Sequence, residues 1–174
     1  MSSIALEKFL EQVTEIEDLD KLVTLKTKGA KGPAKGISVA RRSAVLLLNA
    51  HFEAYLEDVM QEALTSINPK LNANHLAREF TTPRPDNIDK FFSILGIEKI
   101  SKQISWKKAS NKAVRNALNE LQNRRNEIAH GTTVDGQAKK AEVTRFRGYA
   151  EGFCKKVDDI VRDQVAAMTG RQPW

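Results

Sequence analysis

Four stretches of the chain carry apolar residues at intervals of three and four, the pattern of a helix with one buried face. The first runs from Ser3 to Thr24, with Leu6, Phe9, Leu10, Val13, Ile16 and Leu19 inward and acids outward. The second starts near Ser38, a suitable N-cap, and runs to Asn68, ahead of Pro69. Its stripe is Val45, Leu48, Phe52, Leu56, Val59, Ala63 and Ile67, widened by Leu47 and Tyr55. The third spans Asn111 to Gly131, with Val114, Ala117, Leu118, Leu121 and Ile128 on one face and a glycine suited to a C-terminal stop. The fourth spans Ala138 to Met168, where Phe146, Tyr149, Ala150, Phe153, Val157, Ile160, Val161 and Gln164 keep helical spacing.

The intervening segments are punctuated differently. Residues 26–36 hold three glycines, a proline and four lysines, a composition that predicts a mobile basic loop. Its glycine spacing does not match a phosphate-binding loop, and no strand precedes it. Residues 69–110 read as an irregular insertion. Asp86 is expected to cap a short helix through Leu95, and Gly96 to stop it. Ile100, Ile104 and Trp106 are expected to pack the insertion onto the rest, and Ser110 to cap the third long helix. Residues 132–137 read as a loop, and residues 171–174 as a frayed tail. There is no strand alternation and no repeat. The fold class is all-α: an up-and-down helical bundle of four long helices with a short helical insertion, one domain over residues 1–170.

Composition narrows the class further. With 41% hydrophobic residues, 174 residues suffice for one buried core. The single cysteine, Cys154, lies on an apolar helical face and is expected to be a buried thiol in a reducing compartment. No secretory start and no apolar run of membrane-spanning length is visible, so a cytoplasmic protein with no membrane partner is expected. The formal net charge of +6 is unevenly placed. Six acids crowd the first 20 residues, whereas Lys21 to Phe52 holds seven basic residues and no acid. Lys99 to Arg125 holds eight basic residues against Glu120 alone. A segregated basic region suits an anionic partner, although most single lysines on helices are merely solvated.

Polar residues that interrupt the apolar stripes are the candidates for chemistry. Arg125 falls on the buried face of the third helix, between Leu121 and Ile128, where a cation needs a partner. Asn126 follows it, and His130 shares a face with Asn126 at the helix end. On the second helix Asn49 and Glu53 are four apart and border the stripe, and Glu53 is placed to pair with Arg125. The plain alternative is a structural Arg125–Glu53 pair and an ordinary helix-terminal histidine. His51 reads as a core histidine and His75 as a surface one; Trp106 and Trp174 read as packing and tail residues. Few exposed aromatics are expected, so base stacking is not.

The run Arg125-Asn126-Glu127-Ile128-Ala129-His130 resembles the signature of the HEPN superfamily: an arginine, a polar neighbour, and a histidine a few positions on, near the end of the penultimate long helix. Arg42 to Leu56 resembles the second helix of the RiboL-PSP-type branch, and the resemblance covers residues 4 to 165. It implies a homodimer with two Arg/His pairs facing one cleft. It implies metal-independent RNA cleavage by 2′-hydroxyl attack, leaving a 2′,3′-cyclic phosphate and a 5′-hydroxyl, with no cofactor and no metal. In that scheme Arg125, His130 and Asn126 are catalytic, Asn126 orienting the histidine or contacting the phosphate, with Glu53 and Asn49 in support. Lys107, Lys108, Lys112, Arg124, Arg41 and Arg42 then hold the RNA backbone. The biological expectation is a toxin or defence effector with an antitoxin or immunity partner. Ile128 stands where some HEPN toxins carry a tyrosine modified by a partner enzyme, which puts silencing by that route in doubt. The alternative is a non-catalytic HEPN dimer that binds RNA or a partner protein.

Overall fold

A computed structural model of the chain describes residues 1–26, 35–70, 80, 82–131 and 138–174. Of the loop expected at 26–36, Lys26, Lys35 and Gly36 are helical instead, while residues 27–34, the expected loop at 132–137, and His75 lie outside the described residues. The elements are α1 (Ile4–Lys26), α2 (Lys35–Ile67), α3 (Pro85–Phe92) with a 3-10 turn at Ser93–Leu95, the one-turn α4 (Ile100–Gln103), α5 (Asn111–Ala129) and α6 (Lys140–Thr169). The all-α expectation holds, with four long helices and a short helical insertion between α2 and α5.

Side-chain pairs fix the direction of each helix. Lys8 meets Asp58 at 2.8 Å, and Glu62 accepts the N–H groups of Ile4 and Ala5, so α1 and α2 are antiparallel. Ser3 bonds Asp158 and Glu17 meets Arg147 at 2.9 Å, so α6 also runs against α1. Arg145 pairs with Glu120, and Arg124 with Glu142 at 3.3 Å, so α5 runs against α6. The result is an up-down-up-down bundle. The C-terminus of α5 therefore shares one end of the bundle with the start of α2 and the start of α6.

The core follows the apolar stripes. Val45, Leu48, Phe52, Leu56, Val59, Met60 and Ala63 of α2 are fully buried, which makes α2 the central helix. Phe52 stacks edge-on against Phe153 with centroids 5.8 Å apart, and Phe9 meets Tyr55 at 5.5 Å. The Tyr55 hydroxyl donates to the Cys154 carbonyl at 2.8 Å, and burial pushes the Cys154 thiol up. Leu47 does not widen the stripe as expected; it is 42% exposed.

Several local expectations are corrected. Helix α2 begins at Lys35, so Ser38 lies inside the first turn rather than capping it. Helix α3 begins at Pro85 behind an extended Arg84, and Asp86 is no cap. Asp86 and Asp89 instead receive the Arg115 guanidinium at 2.8 and 3.3 Å, and Asp89 also accepts the Ser101 N–H at 2.7 Å. This polar clamp ties the insertion to α5. The tail does not fray: Trp174 packs on the core, and its indole N–H donates to buried Asp158 at 3.2 Å. Between α4 and α5 a tight turn is closed by Trp106 N–H to Ala109 carbonyl at 3.1 Å and the reverse bond at 2.8 Å.

Candidate functional site

The motif residues occupy the last turns of α5, where sequence and geometry agree on a helix stop. Ser110 caps the start, accepting the Ala113 N–H at 3.3 Å. At the far end the His130 N–H bonds the Asn126 carbonyl at 2.9 Å, and Gly131 takes φ +66°. That left-handed residue turns the chain off the helix, which a side chain would oppose. His130 is thereby left exposed at the bundle end. Among the described residues its imidazole has no hydrogen-bond partner.

Arg125 is half-buried, and its Nη1 donates to Asn126 Oδ1 at 3.1 Å. The asparagine therefore orients the arginine rather than the histidine. Arg125 and His130 are five positions apart, about 140° around the helix and about 7.5 Å along it. A single chain presents a cation and an imidazole in different directions from one rigid helix end.

Asn49 and Glu53 do not both join this group. Asn49 is 3% exposed and accepts a short hydrogen bond from the Gln122 amide, which is 1% exposed. This contact sets the register of α2 against α5. Gln122 lies three residues before Arg125, whereas Glu53 lies four residues after Asn49. Because the helices are antiparallel, Arg125 and Glu53 fall on opposite sides of the contact, about 10 Å apart along the bundle axis. No direct ion pair joins them among the described residues. The field of Arg125 still reaches Glu53, pulling its carboxyl pKa down against the larger upward push of burial.

The same register sorts the basic candidates. Arg41 lies eight residues before Asn49 and His130 eight after Gln122, so both stand about 12 Å from the contact on the same side. Arg41 and Arg42, half-buried on α2, thus share the end of the bundle that carries the motif. Lys112 lies ten residues before Gln122, about 15 Å to the other side, with Lys107 and Lys108 beyond it. The three lysines are exposed but stand at the opposite end of α5. Arg124 is committed to structure, meeting Glu127 at 2.9 Å and Glu142 at 3.3 Å. Gln122 is the residue that sequence reasoning missed; its spacing of four from Leu118 and one from Leu121 placed it on the buried face. His51 is half-buried between α1 and α2, with its pKa lowered by burial. Among the described residues no three of His, Cys, Asp and Glu are gathered as metal ligands, and no helix is long and apolar enough to cross a membrane.

A four-helix bundle with an Arg-Asn-His constellation at the C-terminus of its third long helix defines a HEPN-type domain. The family model described as RiboL-PSP-HEPN matches residues 7–163, and the chain belongs to that family. No match is found among curated proteins or among solved structures.

Proposed function

We propose that this protein is a metal-independent endoribonuclease, with Arg125 and His130 as its catalytic residues and a homodimer as its working form. The observation that carries the reading is the exposed imidazole of His130, without a hydrogen-bond partner among the described residues, on the same rigid helix end as the Asn126-bonded Arg125. Cleavage needs a bond from the 2′-oxygen to phosphorus and loss of the bond from phosphorus to the 5′-oxygen. One proton leaves the 2′-hydroxyl and one reaches the departing 5′-oxygen, leaving a 2′,3′-cyclic phosphate and a 5′-hydroxyl. Imidazole is the side chain suited to both transfers near neutral pH. Two copies of His130 from two subunits divide the roles of base and acid. The guanidinium forks of Arg125 meet the charge that develops on the phosphate oxygens.

The dimer is supported by the surface of α2 near this end. Val39 and Leu47 are 51% and 42% exposed, and Ala50 is exposed on the same face. A second copy covering that face brings the two helix ends together. Arg41 and Arg42 then flank the cleft and hold the RNA backbone. An exposed proton-transfer group with no metal requirement suits a cytoplasmic toxin or defence effector that is held in check by a partner protein.

The test is cleavage of RNA by purified protein in excess chelator, beside His130→Ala and Arg125→Ala, with analysis of the product ends. Wild type is expected to leave cyclic phosphates. The His130 variant is expected to lose about 10²- to 10⁴-fold in rate. The Arg125 variant is expected to lose about 10²- to 10³-fold. If all three treat varied RNAs alike, the assignment is wrong and the non-catalytic RNA- or protein-binding dimer takes its place.

A further inference from the structure

Far from His130, a cavity of about 260 Å³ opens between the Trp106–Ala109 turn and the first third of α6. Trp106, Lys108, Thr144, Arg145, Gly148 and Tyr149 surround it. The two aromatic rings lie with centroids 5.8 Å apart and planes 48° from parallel, and both are only half-buried. The backbone bonds across Trp106 and Ala109 hold the turn rigid and present Lys108 at its tip. On the other wall Arg145 is exposed and paired with Glu120.

Two glycines, Gly148 and Gly152, stand inside α6 at this point. Glycine is a costly choice within a helix, so each needs a reason. Gly152 has one: an added Cβ would lie 2.9 Å from the Trp106 ring. Gly148 does not have that reason. A Cβ there would meet nothing within 4 Å, because Gly148 floors the open cavity. A side chain at position 148 would instead project into this open hollow, beside the outer faces of two touching aromatic rings and two cationic side chains. Planar aromatic faces beside cations are the elements that bind a base and its phosphate.

We propose that this cavity is a subsite for one nucleotide of single-stranded RNA, its base against Tyr149 and Trp106 and its phosphate on Lys108. The proposal rests on the ribonuclease reading for its ligand, and it gives Lys108 a role apart from the catalytic end. Glu120, which marks the level of Arg145, is ten residues from His130, or about 15 Å along α5. At about 3.4 Å per stacked nucleotide that is four or five nucleotides of strand. The subsite therefore measures RNA outside the cleavage point and favours an unpaired base there.

The test is binding of a labelled 2′-O-methyl RNA strand, which cannot be cut by 2′-hydroxyl attack, to wild type and to Gly148→Leu. Leucine fills the cavity and favours the helix, so this variant is expected to melt at or above wild type. Affinity is expected to fall about tenfold, with the salt dependence unchanged because no charge is removed. Lys108→Ala is expected to weaken binding and to lower the salt slope by about one. With cleavable RNA, Gly148→Leu is expected to raise KM and leave kcat at saturation unchanged. The proposal is overturned if folded Gly148→Leu binds the strand like wild type, or if adenosine monophosphate alone binds as tightly as the strand. The ribonuclease reading fails separately: a wild type that never cuts, yet loses strand affinity on Gly148→Leu, keeps the subsite and drops the enzyme.

Discussion

The Gln122 amide donates to the side-chain oxygen of Asn49 in the buried seam between α2 and α5. Two buried amides that satisfy each other tolerate no loss of one partner, because the survivor is left without water or a bond. Gln122→Ala or Asn49→Ala is expected to lower stability by about 1–3 kcal/mol from the orphaned amide, plus the cavity left behind. Replacing both by leucine is expected to recover much of that loss. Urea unfolding of the two single variants and the double variant measures the coupling. Arg125 lies one turn beyond the contact, so the double variant tests register as well. A folded double-leucine variant with impaired RNA cleavage assigns the amide pair to positioning Arg125.

The pattern of apolar spacing was sufficient for the four helices, for their order and for the core of α2, because each buries one continuous stripe. The site was legible only in part. Arg125, Asn126 and His130 could be placed on one helix end from spacing alone. Their partners depend on which helix opposes which residue, and that register is set by a contact between helices distant in sequence. Charge alone made Glu53 the natural mate for Arg125, yet antiparallel packing carries the two apart. Leu47 looked like core because its neighbours are apolar, and only the three-dimensional arrangement shows that it stays exposed. Asp158 gave no sign that it would gather the Ser3 N–H, the Ser3 hydroxyl and the Trp174 indole, since its donors lie at both ends of the chain.

Glu53 offers a pH test of the weaker, through-space link to Arg125. Its carboxyl pKa is raised, by burial first, with Arg125 opposing. A carboxyl raised on folding adds stability that is complete below its unfolded value and is lost as pH climbs through the folded one. Wild type should therefore gain on Glu53→Gln as pH falls from 7 toward 4.5, the ordinary glutamate value. At pH 7 the variant should match or exceed wild type, by about a few tenths of a kcal/mol given solvent screening. Urea midpoints at the two pH values decide it. A variant much weaker at pH 7 would mean that Arg125 outweighs burial.

Gly152 faces a different constraint. A methyl group there collides with the Trp106 ring at 2.9 Å, and the ring is held from behind by its turn. Gly152→Ala gains helix propensity but must push Trp106 off α6, with overpacking expected to cost about 1–3 kcal/mol. The indole should become more exposed, read as a red shift in tryptophan emission. Trp174 sits elsewhere, bonded to Asp158, and supplies a constant background. A Gly152→Ala protein with wild-type emission and higher stability would show that the turn yields instead.

Under the proposed ribonuclease reading, the helix stop separates catalysis from folding. His130 is exposed and has no side-chain partner among the described residues, so His130→Ala should leave stability within about 0.5 kcal/mol of wild type. Gly131 differs: an alanine there meets no atom within 4 Å, but it must adopt φ +66°. The strain is in the backbone alone and should cost about 1 kcal/mol. The protein relieves it by unwinding the last turn of α5, and that turn carries the imidazole. Gly131→Ala should therefore slow RNA cleavage with a small drop in melting temperature, and affect kcat more than KM. Gly131→Asn should restore part of both, since asparagine tolerates the left-handed region better than alanine. Equal kcat for the glycine, asparagine and alanine forms would show that the helix stop does not aim His130 at the reacting phosphate.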